Sequence, residues 1–247
     1  MAGHRASPIR WSVNSQIVGR VWRFGMALPI ARGMSVAATR LAKVRSGIAG
    51  AAKLARRDPA EVPLVAVSKR RSVEEIEALI AAGQRDFGES RVQEAHDKWP
   101  GLRAAYPDIC LHMIGQLQSN KAADAAALFD VIHSLDRLSL LDALAAAPHH
   151  KPTYVQVNIG EEKQKGGVAL GELAAFLAAV RASPVPLAGL MAIPPLGLEP
   201  GPFFAFLNEL ARRHDVAGLS MGMSSDYATA VMLGATIVRV GTALFED

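Results

Sequence analysis

The sequence predicts a single (β/α)8 barrel of the TIM type, preceded by an N-terminal helix. From residue 34 onward, eight short β-rich runs alternate with helical stretches, which is the count that this barrel requires. Several of the β-rich runs are continuously apolar, as parallel strands buried on both faces are. No linker divides the chain, and 50% of its residues are hydrophobic, which is enough for one large core. Eight repeats in this length favour a closed barrel over a doubly wound open sheet.

The first helix and the first repeat have clear boundaries. A helix is predicted over residues 35–56, and residues 64–67 form the first strand. Ser72 caps the next helix, and Glu75 completes a capping box three residues later. That helix ends near Gly83, and residues 86–88 form the second strand. The apolar stripe of the first helix comprises Val36, Leu41, Val44, Ile48 and Leu54.

The remaining repeats follow in the same order. Strands are predicted at residues 111–114, 131–133, 154–158, within 187–193, and at 219–221 and 236–240. Asp136 is expected to cap the helix that ends at Ala146. Any helix after the last strand is expected to be missing or very short. The other helices are predicted over residues 92–105, 118–128, 171–182, 203–213 and 225–233.

The positive charge of the chain is concentrated at its N-terminal end. The formal net charge is +4, but residues 1–57 contain 11 Arg and Lys and no acidic residue, leaving 16 basic and 23 acidic residues for the rest. The basic balance therefore does not indicate a nucleic-acid-binding face. Residues 1–33 are predicted to be a disordered or dispensable extension, with a targeting segment as the alternative. Residues 34–247 are predicted to form the barrel.

Cysteine and histidine usage predicts no metal site. The single cysteine, Cys110, excludes an intramolecular disulfide and a site built on several cysteines, and it is expected to be an inert core thiol. The pair His149–His150 lacks a third ligand with suitable spacing. No apolar run approaches the ~20 residues that span a bilayer, so we expect no membrane partner and a cytoplasmic location.

Lys69 is the first residue that could carry chemistry. It directly follows the first predicted strand, and in this fold the reactive groups lie at the carboxyl ends of strands. Desolvation in an apolar barrel mouth lowers the pKa of such an amine, which frees it to attack an aldehyde. The alternative is an ordinary lysine at the rim.

The loops after the seventh and eighth strands predict an anion site. Residues 220–226 form a small-residue loop that leads into a helix, and Gly241 and Thr242 follow the eighth strand. Backbone N–H groups at a helix start bind phosphate, and these two loops are a common phosphate site in such barrels. Each loop alone would also fit ordinary turn chemistry.

Seven segments, taken in order from about residue 34 to the C-terminus, resemble the pyridoxal phosphate homeostasis protein family. They are AVSK (66–69), AGQRDFGES with VQE (82–94), HMIGQLQSNK (112–121), QVNIGEEKQKGG (156–167), GLMAIPP (189–195), SMGMSSD (220–226) and RVGTALF (239–245). The resemblance implies a barrel similar to the N-terminal domain of alanine racemase. It also implies that pyridoxal 5'-phosphate is the cofactor and that Lys69 forms an aldimine with it.

The resemblance assigns the remaining cofactor contacts as well. It implies that Ser224, Gly241 and Thr242 contact the phosphate and that Arg239 faces the pyridine nitrogen. Ser90 stands where the family usually has Asn, so a contact beside the ring is lost or passes through water. Met191, with Met221 and Met223, is expected to pack beneath the ring.

A cofactor carrier is favoured over a catalyst. An arginine opposite the pyridine nitrogen cannot accept a proton from it, which weakens the ring as an electron sink. We identify no second acid or base and therefore no catalytic residue. A role in vitamin B6 homeostasis follows, with apo enzymes as candidate recipients and a monomer or weak dimer as the expected state. The alternatives are a stand-alone amino-acid racemase and a cofactor-free Schiff-base aldolase.

Overall fold

The barrel is seen in a computed structural model that describes residues 34–246. The extension expected at residues 1–33 lies outside the described residues. Within them the chain forms eight strands, and all neighbouring strands run parallel. The strands are β1 Leu64–Val67, β2 Asp86–Glu89, β3 Cys110–Met113, β4 Val131–Leu135, β5 Thr153–Gln156, β6 Leu187–Met191, β7 Gly218–Ser220 and β8 Val238–Val240.

The strands pair in the order β7-β6-β5-β4-β3-β2-β1-β8, and the two ends of this sheet meet. The backbone N–H of Met221 donates to the Ile237 carbonyl over 3.2 Å, and that of Arg239 donates to Gly222 over 2.9 Å. These bonds join the segment after β7 to β8. The predicted barrel is therefore confirmed, and closure brings the carboxyl ends of β1, β7 and β8 side by side.

The helices agree with their predicted positions, with one local error. The capping box of Ser72 and Glu75 is present. Asp136 is not an N-cap, because Arg137 holds that position and the Asp136 carboxylate accepts from its guanidinium over 2.6 Å. The helices are α1 Val36–Leu54, α2 Val73–Ala81, α3 Val92–Ala105, α4 Ala122–Leu128, α5 Leu138–Ala145, α6 Leu173–Ala182, α7 Gly201–Arg213, α8 Tyr227–Met232 and α9 Thr242–Phe245.

Helix α1 fills the place in the outer ring that belongs to the helix after β8. The helix that follows β8, α9, has only four residues, and α1 packs against it, α8 and α2. A side chain at Gly47 would lie 2.4 Å from the Tyr227 hydroxyl, so glycine permits the close approach of α1 to α8. Leu41, Val44 and Ile48 of the predicted stripe are buried, whereas the two residues at its ends, Val36 and Leu54, are exposed.

Most of the apolar core lies between the strands and the surrounding helices, where Phe87, Ile132 and Leu190 are fully buried. Phe87, for example, packs against Trp99 of α3 with ring centroids 5.2 Å apart. None of the helices in residues 34–246 is long and apolar enough to cross a membrane. Polar residues also enter the interior, and they bear on the site described next.

Candidate functional site

A cavity of about 280 Å³ opens at the carboxyl ends of the strands. The predicted residues Lys69, Ser90 and Arg239 line it together, although they follow or belong to β1, β2 and β8. This is the end of a (β/α)8 barrel where active sites form. The other lining residues are Val67, Ile114, Gly115, Gln116, Gln156, Ile193 and Met223.

Lys69 lies in a tight turn that the end of β1 holds in place. The Ser68 N–H donates to the Gly88 carbonyl over 3.0 Å, and the Arg71 N–H donates back to the Ser68 carbonyl over 3.1 Å. Arg70 adopts a left-handed φ of 60°, and its N–H donates to the Glu94 carboxylate. The turn thus fixes the backbone of Lys69 at the rim of the cavity.

A buried carboxylate supports this turn from below. Glu89 is fully buried, and its Oε1 accepts from the Ser68 hydroxyl over 2.8 Å and from the Trp99 indole over 3.1 Å. Lys98 pairs with the same oxygen over 2.8 Å and also donates to the Ser68 carbonyl over 3.0 Å. Charge pairing and hydrogen bonds offset the cost of burying this carboxylate.

The environment of Lys69 differs from the desolvated one that its position predicted. The residue is exposed, and its ammonium has no hydrogen-bond or salt-bridge partner within residues 34–246. The cavity opens to solvent there, because Lys69 lies in the turn beyond β1 rather than in the strand itself. An amine without a partner is sterically free to meet a carbonyl group in the cavity.

The two predicted phosphate loops meet at a single oxygen atom. The Ser224 hydroxyl accepts from the backbone N–H of Gly241 over 3.2 Å and from that of Ala243 over 3.4 Å. Gly222 makes the turn with a φ of 95°, and a side chain there would lie 2.6 Å from the Ala230 methyl. Thr242 is the first residue of α9. Two N–H groups that converge on one oxygen form the kind of cradle that binds a phosphate oxygen.

Met191 does not line the cavity. It ends β6 with 1% of its surface exposed, and Met221 is also buried. Ile193 and Met223 supply apolar surface to the cavity instead. Met191 therefore lies within the barrel interior, and a contact from it to a ring in the cavity stays a prediction.

Arg239 is held rigidly beneath the cavity. Only 4% of its surface is exposed, and its guanidinium donates to the Ser220 hydroxyl and, over 3.2 Å, to the Ala192 carbonyl. Burial lowers the pKa of Arg239 to about 10, against the raising effects of Asp226 and Tyr154. The group therefore stays cationic at neutral pH.

A chain of buried polar side chains continues from Arg239 through the barrel. The Ser220 hydroxyl lies 2.8 Å from His133 Nδ1, and His133 Nε2 lies 3.0 Å from His112 Nδ1. His112 Nε2 in turn lies 3.2 Å from the Asp86 carboxylate, at the amino end of β2. We name Asp86, His112, His133, Ser220 and Arg239 the polar chain. It links the two ends of the barrel.

The two histidines of the polar chain differ in charge. Burial by itself lowers the pKa of His112, but Cys110 and the hydrogen bond to Asp86 outweigh it and raise that pKa to about 10. Burial, followed by the charges of His112 and Arg239, holds the pKa of His133 well below its ordinary value. At neutral pH, His112 is therefore the imidazolium and donates both of its protons, while His133 is neutral.

Several residues of the cavity and of the polar chain are not predicted from the sequence. Gln116 and Gln156 line the cavity, and Gln156 Nε2 donates to the Gly166 carbonyl over 3.1 Å. Both lie in the quoted motifs near strand ends, and that position is the signal that could have identified them. The polar chain had no such signal, because its members come from different strands.

Comparisons with known proteins agree on one family. The family model of the alanine racemase N-terminal domain matches residues 41–247. A Pseudomonas aeruginosa protein named pyridoxal phosphate homeostasis protein is 42% identical over 224 residues, which cover 86% of this chain and 96% of that protein. A Synechocystis protein of the same name is 41% identical over 203 residues, covering 76% and 93%.

A solved structure gives the same result. PipY of Synechococcus elongatus, determined with pyridoxal phosphate bound, is 39% identical and superposes with a TM-score of 0.73. The match covers 85% of this chain and 99% of that one.

Proposed function

This chain belongs to the pyridoxal phosphate homeostasis protein family, and we propose that it binds pyridoxal 5'-phosphate and acts in vitamin B6 homeostasis without robust catalysis. The observation that carries the proposal is the cavity that Lys69 and Arg239 line together. The Ser224–Gly241 contact is not part of this lining, but Ser224 directly follows the lining residue Met223 and Gly241 lies two residues beyond Arg239. An amine, a cation and an anion cradle match the aldehyde, the ring nitrogen and the phosphate of this cofactor. The relatives' name and the cofactor bound to PipY support the same ligand.

In this proposal Lys69 holds the cofactor as an aldimine. The exposed Lys69 amine has no partner among residues 34–246, so it gives up no contact with them when it reacts. The fixed turn on Ser68 and Arg70 keeps the amine at the cavity rim. Reversibility of the imine bond suits a carrier that must release the cofactor again.

The cofactor phosphate would accept the hydrogen bonds that Gly241 and Ala243 now donate to Ser224, and the Ser224 hydroxyl would turn to donate to the phosphate. The N–H groups of Gly241 and Ala243 already point at one oxygen, so binding needs little reorganisation of the backbone. Thr242, at the start of α9, would add a hydroxyl. Ser90 lines the cavity, where its contact beside the ring would pass through water or be lost.

Arg239 favours carriage over catalysis. It is cationic at neutral pH and fixed by Ser220 and Ala192, so it would keep the neighbouring ring nitrogen unprotonated. An unprotonated ring is a poor electron sink for carbanion chemistry. We also propose that residues 34–247 suffice for cofactor binding. The recipients of the released cofactor would be apo enzymes.

Borohydride trapping tests the proposal. Pyridoxal phosphate is added to the protein, the visible spectrum is recorded, and the reduced adduct is mapped by mass spectrometry. We expect a visible imine band and an adduct on Lys69, both absent in Lys69→Ala. Lys53→Ala, which removes an exposed lysine from α1, is the matched control and should leave both unchanged. Adducts scattered over surface lysines would refute the assignment.

A second assay tests the absence of robust catalysis. The loaded protein is incubated with L-alanine and with other amino acids, and formation of the D-enantiomer is followed. We expect no racemisation above that of the free cofactor. Steady turnover that depends on Lys69 would instead establish the racemase alternative, while leaving the cofactor assignment intact.

A further inference from the structure

The end of the barrel opposite the cavity holds a second cluster of reactive side chains. Asp86 and Cys110 are the first residues of β2 and β3 and are partners in the strand register. His112 lies two residues beyond Cys110, so its side chain is on the same face of β3. We propose that Asp86, Cys110 and His112 form a binding site for a divalent cation of the zinc class. This site is separate from the proposed cofactor site.

The distances within the cluster suit such a cation. The ligand atoms of all three residues lie within 4.8 Å of one another, and His112 Nε2 lies 3.2 Å from the Asp86 carboxylate oxygen. In a tetrahedral zinc site, bonds of about 2.0–2.3 Å place neighbouring ligand atoms roughly 3.3–3.6 Å apart. Small side-chain rotations therefore suffice to close the three groups on one ion.

His112 is also held as metal-binding histidines are. Its second ring nitrogen, Nδ1, lies 3.0 Å from His133 Nε2, which fixes the orientation of the ring. Such an outer partner sets the tautomer of a ligating histidine and aims its free nitrogen. Here Nδ1 would keep its proton and donate to His133, so that Nε2 faces Asp86 and Cys110.

Access to the cluster is favourable, whereas the neighbouring cation, Arg45, opposes binding. Asp86 has a third of its side chain exposed and Cys110 is half-buried, so an ion can enter and keep one water ligand. The positive charge of Arg45 acts on Asp86, but its guanidinium is engaged with the Gly83 carbonyl and the Gln84 side chain. On binding, the Cys110 thiol proton and the His112 Nε2 proton pass to the buffer, leaving a thiolate, a carboxylate and a neutral imidazole on the cation.

The sequence predicted no metal site because one cysteine cannot supply several thiolate ligands. A mixed site instead takes its three ligands from two strands that the register brings together, and no spacing within the sequence marks it. Soft thiolate and imidazole ligands select zinc and its neighbours over magnesium or calcium.

Cobalt titration of the full-length, reduced, cofactor-free protein tests this proposal. We expect one Co²⁺ per chain, with a near-ultraviolet thiolate-to-cobalt band that Zn²⁺ displaces. Cys110→Ser should abolish the band, and the conservative Asp86→Asn, at a partly exposed position, should weaken binding at least about tenfold. Lys69→Ala should bind cobalt normally, because Lys69 belongs only to the proposed cofactor site. The cation proposal and the cofactor assignment can therefore fail independently of each other.

A pair of adjacent histidines away from the proposed cation site supplies the control for the cobalt titration. The double variant His149→Ala/His150→Ala removes the exposed pair in the loop before β5 and should leave the band and the stoichiometry unchanged. Absence of the thiolate band in the unaltered protein, or cobalt binding that persists in Cys110→Ser, would overturn the proposal.

Discussion

Lys69 and Arg239 face the same cavity but are held in opposite ways. Lys69 lies on an exposed turn with no side-chain partner in the described part of the chain. Arg239 is 4% exposed, and its guanidinium is fixed by the Ser220 hydroxyl and the Ala192 carbonyl. The mouth of the barrel thus presents an exposed amine, whereas its interior presents a fixed cation.

This difference suits Lys69 to covalent chemistry and Arg239 to the stability of the fold. A group that must form and release a covalent bond gains from having no competing contact. A group that sets the electronic state of a bound ring gains from rigidity, and burial makes it part of the fold. The two residues should therefore respond differently to the same substitution.

Truncation of both residues should show the largest contrast. Arg239→Ala leaves a cavity and unpaired groups at Ser220 and Ala192, so we expect a loss of about 3 kcal/mol in the free energy of unfolding. Lys69→Ala should change that free energy by less than about 0.5 kcal/mol. Urea unfolding measures both. Arg239→Met keeps much of the side-chain volume and should therefore lose less free energy of unfolding than Arg239→Ala. Equal losses in the two variants would mean that the cavity does not contribute to the loss.

The next effect lies deeper in the polar chain. His133 stacks on Tyr154 with ring centroids 4.6 Å apart and hydrogen-bonds to His112 and Ser220. His133→Phe keeps an aromatic ring but removes both hydrogen bonds, which should cost about 2 kcal/mol of unfolding free energy. Denaturant unfolding measures the free energy of unfolding of His133→Phe. The same measurement on Tyr154→Phe, which keeps the stacked ring pair, supplies the comparison. A neutral outcome for His133→Phe would mean that the polar chain adds nothing to stability.

The interior should also show a pH dependence that the mouth lacks. The pKa of His112 is raised in the folded protein from 6.5 to about 10, so its stabilisation is complete below pH 6.5 and is lost as pH rises through 10. Between these values stability should fall by up to about 1.4 kcal/mol per pH unit. Since the pKa of His133 is lowered, its contribution has the opposite sign and is lost as pH falls below 6.5.

Unfolding between pH 7 and 9, with a chelator present, measures this slope. His112→Gln should flatten it relative to the unaltered protein, whereas Lys69→Ala should not. An identical slope in His112→Gln would assign the dependence to other groups.

The smallest effect is expected at the phosphate loops. Ser224→Ala removes the oxygen that accepts from Gly241 and Ala243, and with it one group proposed to contact the phosphate. We expect cofactor affinity to fall by about 1 kcal/mol, or roughly fivefold in Kd. Ser225→Ala, at the exposed neighbouring serine, is the matched control and should bind normally in a spectrophotometric titration.

The sequence predicted the barrel well because its signals are local. Short β-rich runs marked all eight strands, and the Ser72–Glu75 capping box needs only four consecutive residues. Asp136 shows where local reasoning fails, since the neighbouring Arg137 engages its carboxylate and takes the cap position. A side-chain ion pair outcompeted the expected cap.

Three of the predicted site residues line one cavity, whereas the contacts inside the barrel had no signal in the sequence. Lys69, Ser90 and Arg239 follow or belong to predicted strands, and strand order alone brings them together. The hydrogen bond between His133 and Ser220 joins residues 87 positions apart, and no local pattern reveals which strand residues meet inside a barrel. Cys110 was expected in the core but is half-buried beside Asp86, because it is the first residue of its strand.

The polar chain connects the proposed cofactor site to the proposed cation site at the opposite end of the barrel. Linkage is reciprocal, so whatever a proton or cation at Asp86 and His112 does to ligand affinity near Arg239, that ligand does to the amino end by the same factor. Any coupling along the polar chain would therefore be measurable by a titration performed at either end.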